Sequence, residues 1–322
     1  MGLNIGIIMG GYSEEVNISL KSGEVVFNTL KKTYNCFKLY LLKDNWYYVD
    51  NYQKKHNIIK ETFKIENNLE IEFDCIFNAI HGSPGEDGEI HEYFNNLNIP
   101  ITGSGIKQSE LTFDKIKCIK YLKEKDIKIA NSIVINKSTN ISLKKIESEI
   151  GFPCFIKASK SGSSFGVYKV YNYKEFLKYI NYAFKVDDNL LIEAYIEGRE
   201  FSIGVVTFKN NITVLPITEI ITSNDFFDYE AKYNGKSEEI TPANINDELK
   251  KNLNKISEKI YKLLNLKGLS RSEFIVNKNG IYYLETNTVP GLTDESILPQ
   301  QAKFAGITLK ELFSNSINEV LK

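Results

Sequence analysis

The chain has few cysteines, few histidines, no excess of either charge and no long apolar run. Its four cysteines, Cys36, Cys75, Cys118 and Cys154, stand far apart, with no CxxC pair and no metal-type spacing. A disulfide framework and a cysteine zinc site are therefore not supported. Each lies in or beside apolar residues, so the four read as buried free thiols in a reducing compartment. The three histidines are His56, His81 and His91. No Ser–His–Asp arrangement can be built from them, which argues against nucleophilic hydrolysis. Lys plus Arg (40) nearly cancels Asp plus Glu (41). No global field draws the chain to nucleic acid or to an anionic membrane, and neither is expected as a partner. The apolar start, Met1 to Ile8, turns polar by Ser13-Glu14-Glu15. It is too short to span a bilayer and lacks the basic opening of a signal peptide, so the expected location is the cytoplasm. Internal repeats and low-complexity tails are also missing.

What is present is an ordinary globular composition, 42% hydrophobic and 25% charged over 322 residues, enough for two or three cores. Asn4 to Met9 reads as a buried parallel strand ending in Gly10-Gly11. A helix follows from Ser19 to Lys32, with Val25, Val26 and Leu30 inward, then a strand from Phe37 to Leu42. Asp74 to Ile80 reads as another strand, ending in the loop His81 to Gly88. This order implies a doubly wound parallel sheet, whose ligands bind at the strand carboxyl ends. His81 sits at such an end; His56 reads as solvated in a polar loop.

After Ile101 the texture becomes α+β. A helix is expected from Asp114 to Lys125, and a hairpin joins Cys154–Lys157 to Gly166–Tyr171. A further helix carries Ile245, Leu249, Leu253, Ile256 and Ile260 on one face. A last helix opens at Thr308, where Thr308 and Glu311 have capping-box spacing. The expected units are 1–102, 103–189 and 190–322.

Four constellations carry possible chemistry. In Arg271 to Asn287, a three-residue turn Lys278-Asn279-Gly280 would place Glu273 opposite Glu285 and Arg271 opposite Asn287 on one face. Opposed carboxylates repel unless a cation lies between them, and a hard divalent ion with Asn287 as third oxygen would resolve this. A solvated charged face is the other reading. Lys157 to Gly166 is a small-residue loop whose amides could approach phosphate oxygens beside Lys157; an ordinary polar turn competes. It is not a Walker A sequence, and Gly103-Ser104-Gly105 lacks a third glycine and reads as a turn. Asp225 to Gly235 mixes four aromatics with charges, suiting either a lid over a ligand or a half-buried strand pair. Glu193 and Glu200 fit a ribose contact or an exposed surface.

Taken in order, these segments resemble the D-alanine–D-alanine ligase family of the ATP-grasp superfamily, nearly end to end. The resemblance rests on Gly10-Gly11-Tyr12-Ser13-Glu14-Glu15, His81-Gly82 with Gly85-Glu86-Asp87-Gly88, Asp114-Lys115, and Lys157 with Gly162-Ser163-Ser164. It continues through Gly198-Arg199-Glu200, Asp228 to Tyr233, Arg271, Glu285-Thr286-Asn287-Thr288, Pro290-Gly291 and Ser296. It implies a doubly wound domain followed by a two-lobed ATP-grasp module, with ATP between the lobes and two D-alanines in the central cavity. Lys115, Lys157, Ser163, Ser164, Glu193, Ile196, Glu200 and Lys232 would bind ATP. Glu273, Glu285 and Asn287 would hold magnesium or manganese, as two ions. Glu15 and His81 would meet the first D-alanine, and Ser296 and Ile297 the carboxylate of the second. Arg271 would serve the oxyanion, and Glu15, Ser163 and Tyr233 would hold the lid shut. A homodimer is the expected assembly.

Glu273 stands where the family usually has aspartate, one methylene shorter. Ala158 replaces a proline and Phe227 a tyrosine. Rival readings are a ligase forming D-alanyl-D-lactate or D-alanyl-D-serine, against which Tyr233 argues, and a non-catalytic nucleotide-binding protein.

Overall fold

The computed structural model describes residues 2–66, 71–138, 142–222 and 237–321. Strand β1 (Asn4–Gly11), helix α1 (Val16–Leu30) and strand β2 (Asn35–Leu42) form the expected parallel unit. The helix begins three residues earlier than its apolar stripe suggested, with Glu15 at the N-cap position. Val26 and Leu30 are fully buried. The chain then meanders antiparallel through β3 (Trp46–Val49), β4 (Lys55–Ile59) and β5 (Lys64–Ile65). Strand β6 (Cys75–Asn78) returns parallel to β1, giving the order β5-β4-β3-β2-β1-β6. The parallel centre was legible; the antiparallel extension was not, because its strands are short. His56 is a correction: it lies in β4, is 7% exposed, and its Nε2 is 2.8 Å from Asp50 Oδ2.

Helices α2 (Glu89–Asn96), α3 (Ile106–Phe113) and α4 (Lys115–Lys123) lead to the second sheet. Asp114 caps α4, accepting from the Lys117 amide at 3.1 Å. The second sheet comprises β7 (Ser132–Asn136), β8 (Cys154–Ala158), β9 (Val167–Val170) and β10 (Asn189–Ala194), ordered β7-β10-β8-β9. Its apolar face packs on α5 (Leu143–Glu149) and α6 (Tyr173–Ala183) through Ile146, Phe176 and Ile180. Strand β10 starts beside the expected boundary at 190, yet it pairs with β7 and β8.

The third sheet contains β11 (Arg199–Phe208), β12 (Asn211–Val214), β13 (Thr218–Thr222), β14 (Ser237–Ile240), β15 (Leu269–Asn277) and β16 (Gly280–Asn287). Its path is β14-β13-β11-β15-β16, with β12 beside β11. Phe201, Ile203, Phe274 and Tyr283 bury one face against α4 and α7 (Asp247–Leu263), where Leu253 and Ile260 are fully enclosed. Burying each such side chain contributes about 1.5–3 kcal/mol. The alternating partners, Arg271, Glu273 and Glu200 among them, face the other way.

Helices α8 (Ile297–Phe304) and α9 (Leu309–Val320) return to the first sheet, where Leu298, Leu312, Phe313 and Ile317 join Ile5, Ile7 and Phe77 in one core. The Thr308–Glu311 capping box is formed. Cys75, Cys118 and Cys154 are buried and Cys36 is half-buried, all four as free thiols. Among the described residues, no helix is long and apolar enough to cross a membrane.

Candidate active site

The hairpin of β15 and β16 carries the central geometry. Its turn is one residue shorter than expected: Asn277 pairs with Gly280, and Phe274 with Tyr283. With a two-residue turn the glutamates should fall on opposite faces. A bulge after Glu273 absorbs Leu284 and restores the register, so Glu273 stands opposite Glu285 and Arg271 opposite Asn287. The expected pairing is present, and the extra residue sits in β16 rather than in the turn. Gly280 has φ +129°, which a side chain would strain.

Cations already lie against both carboxylates. Arg271 donates to Glu273 through Nη1, which also reaches Ser202 Oγ at 2.9 Å. Lys115 Nζ is 3.7 Å from Glu285 Oε2 and donates to the Ser161 carbonyl at 2.5 Å. Lys157, at the end of β8, forms an ion pair with Glu193 of β10. Burial is the largest influence on the Lys157 pKa and lowers it. The charge and hydrogen bond of Glu193, together with the charges of Glu285 and Glu200, outweigh it, and the net shift is upward. Glu193 is 3% exposed, so the surface reading of this residue is corrected.

Two clefts meet at Glu285. One, of about 460 Å³, lies between the second and third sheets. Lys115, Lys157, Ser164, Glu193, Ile196 and Glu200 line it, with Glu273 and Glu285 at one side. The other, of about 1030 Å³, opens between the first and third sheets. Its walls include Glu15, His81, Ser163, Arg271, Asn287, Ser296 and Ile297. Every described residue expected in the site therefore borders one of the two clefts. Lys232 and Tyr233, with the aromatic segment around them, lie outside the described residues.

The loop Ser159 to Gly166 separates the clefts. Ser163 and Ser164 hold left-handed backbone conformations, with φ 45° and 60°, a strain that non-glycine residues show at functional sites. Ser163 Oγ donates to Glu15 Oε1. The second oxygen, Glu15 Oε2, is buried with no hydrogen-bond partner among the described residues. A Cβ at Gly162 would come within 2.2 Å of it, so only glycine lets the loop pass so close. A buried orphan acceptor of this kind suits a cationic ligand group.

Sequence reasoning assigned no role to Glu86 or Ser22. Glu86 accepts from the Gly82 amide at 2.8 Å and the Val289 amide at 3.1 Å, tying the first sheet's loop to the segment after β16. Burial, reinforced by the Glu15 charge, pushes its pKa up to about 8. Its only signal in the sequence was an acid inside a glycine-rich loop at a strand end. His81 Nδ1 is 2.7 Å from the Val289 carbonyl and Nε2 is 2.9 Å from Ser22 Oγ. Burial lowers the His81 pKa, so the ring is neutral, donating from Nδ1 to the carbonyl and accepting from Ser22 at Nε2. Ser296 stands at the N-cap position of α8 and Ile297 is its first residue; both line the larger cavity, and a helix N-terminus offers backbone amides to an anion.

The candidate metal donors are all oxygens: two carboxylates and the Asn287 amide. Hard divalent cations take such a set, and the opposed carboxylates supply the charge that would hold one. Among the described residues, no group of three or more His, Cys, Asp or Glu side chains forms a metal cluster, so part of the coordination would fall to ligand oxygens.

Two family models match the chain: "D-ala D-ala ligase N-terminus" over residues 4–104 and "D-ala D-ala ligase C-terminus" over residues 121–318. The D-alanine–D-alanine ligase of Flavobacterium johnsoniae is 50% identical over 98% of both chains. That of Christiangramia forsetii is 45% identical over 100% of this chain and 99% of the other. Among solved structures, the VanG D-Ala:D-Ser ligase from Enterococcus faecalis superposes with a TM-score of 0.86 at 27% identity, covering 99% of each chain. The D-alanine–D-alanine ligase from Bacillus anthracis complexed with ATP gives 0.79 at 28% identity, covering 99% of this chain and 97% of that one.

Proposed function

The chain belongs to the D-alanine–D-alanine ligase family, and from that premise we propose how its own residues perform the ligation. Its reaction is the ATP-dependent joining of two D-alanines, a step of peptidoglycan precursor synthesis with an ATP-grasp fold as its frame. The observation that carries the residue assignment is the meeting of the two clefts at Glu285, with Lys115 beside it and Arg271 on the opposed Glu273.

ATP lies in the smaller cleft, its adenine against the Ile196 backbone and its ribose at Glu200. Lys115, Lys157 and the amides of the Ser159–Gly166 loop meet the phosphates. Glu273, Glu285 and Asn287 would hold magnesium, which neutralises charge on the transferring phosphoryl group when bound. The first D-alanine lies in the larger cavity with its ammonium on Glu15 Oε2 and His81 nearby. Its carboxylate attacks the γ-phosphorus, ADP leaves, and an acyl phosphate forms.

The second D-alanine places its carboxylate at Ser296 Oγ and the Ile297 amide. Its amine attacks the acyl carbon, Arg271 stabilises the tetrahedral oxyanion, and phosphate leaves. Water would hydrolyse the acyl phosphate, so closure over the cavity matters. That task falls to Lys232 and Tyr233, with Tyr233 completing the Glu15–Ser163 pair. The reading extends to three structural units at about 1–102, 103–189 and 190–322, a cytoplasmic homodimer, and two divalent ions. Phosphate release across D- and L-amino acids and D-lactate is the test. D-Alanine should be the preferred acceptor at neutral pH. Faster product formation with D-lactate would replace this reading by the depsipeptide one, and no release with any acceptor would remove it.

A further inference from the structure

Glu239 belongs to β14 and lies on the wall of the larger cavity, yet no step above uses it. In the sheet register it stands opposite Ile220, so the two side chains share a face. Ile220 packs against Ile297, whose amide is assigned to the second D-alanine's carboxylate. The charges of Arg271 and Glu273 also act on the Glu239 carboxylate. Glu239 is thus bracketed by the acceptor's carboxylate end on one side and the oxyanion residue on the other. The amino group of the second D-alanine must lie in that interval. It is one carbon away from the anchored carboxylate, and it has to reach the acyl carbon beside Arg271.

We propose that Glu239 is a specificity-determining residue for the acceptor, pairing with the amino group of the entering second amino acid and so favouring an amine over a hydroxy acid. The inference rests on the ligase reading above. An α-amino acid arrives as a zwitterion, whereas D-lactate arrives as an anion with a neutral hydroxyl. A half-buried carboxylate on the wall attracts the first and repels the second, so it discriminates by gain and by penalty together. Of the other acids around the reaction centre, Glu15 is engaged with Ser163, Glu273 with Arg271, Glu285 with Lys115 and Glu86 with the Gly82 and Val289 amides.

Steady-state kinetics of the wild-type protein and of Glu239→Gln test this, with ATP and magnesium saturating. D-Alanine is titrated through both sites, and D-lactate is offered as a competing acceptor. The second-site KM should rise about tenfold or more in Glu239→Gln, as for a lost charged hydrogen bond. The first-site KM and the KM for ATP should stay within about twofold. The ratio of dipeptide to depsipeptide should fall by a factor similar to the rise in second-site KM, and Glu239→Asp should keep most of the preference. An unchanged second-site KM and product ratio in Glu239→Gln overturns the inference. So does a parallel loss in all three constants with a lowered Tm, which marks a structural role. If the wild-type protein itself releases no phosphate with D-alanine, the ligase reading fails and this inference falls with it; failure in the variant comparison alone leaves that reading standing.

Discussion

Glu86 shows what a single residue can reveal through pH. Its carboxyl group is 7% exposed, accepts two backbone amides, and lies near the charges of Glu15 and Glu285. Its pKa rises from an ordinary 4.5 to about 8 in the folded protein. Between these values the folded state binds a proton that the unfolded state has released, so stability falls as pH rises. The contribution is fully present below 4.5 and is lost as pH climbs through about 8. Glu86→Gln removes this titration while keeping one acceptor oxygen. The Tm difference, variant minus wild type, should therefore grow by about 3 °C or more from pH 5 to pH 8. Thermal unfolding in matched buffers checks it; a pH-independent difference would show that Glu86 ionises normally.

At the scale of elements, the hairpin explains what could and could not be read in advance. Alternation along Arg271–Val276 and Ile281–Asn287 was visible, and so was a turn at Lys278-Asn279-Gly280. The site of the extra residue was not, because a bulge at Leu284 and a longer turn leave the same chemical pairs aligned. The pair depends on strand twist and on packing of Tyr283 against Phe274, which are tertiary facts. Strands β3 to β5 are short, and in β4 the polar His56 faces inward while the apolar Ile59 faces out, so polarity does not follow burial there. Capping chemistry is local and was readable. Thr308 accepts from the Glu311 amide at 3.2 Å, and Glu311 accepts from the Thr308 amide at 2.9 Å. Thr308→Ala should cost about 1 kcal/mol of stability and lower the Tm by about 1.5 °C. Helix α9 packs on the first sheet's core through Phe313 and Phe77, whose rings are 5.5 Å apart. Its cap is remote from both clefts, so kcat and both D-alanine KM values should be unchanged. A matching loss of turnover would mean that α9 positions the site.

At the scale of the whole molecule, the site belongs to no single sheet. Glu15 and His81 come from the first, Lys157 and the Ser163 loop from the second, and Arg271 and Glu285 from the third. The Ser163 loop borders both clefts: Ser164 lines the smaller one, while Ser163 lines the larger and donates to Glu15. Either ligand therefore meets the same strained loop, and any cost of holding it in one conformation falls once rather than twice. Coupling through shared ordering makes the second ligand bind more tightly. A ligand at a hundredfold its Kd raises stability by about 2.7 kcal/mol. A non-hydrolysable ATP analogue with magnesium and D-alanine, each near that level, should together raise the Tm by more than the sum of their separate shifts. Chelating the metal should remove most of the excess, because the Glu273–Glu285 pair would then meet phosphate with only Arg271 and Lys115 as counter-charges. The excess should also shrink in Ser163→Ala, which lacks the hydroxyl joining the loop to Glu15, while the nucleotide's own shift persists. Strictly additive shifts in the wild-type protein would mean that the two clefts bind independently and that the loop is set before either ligand arrives.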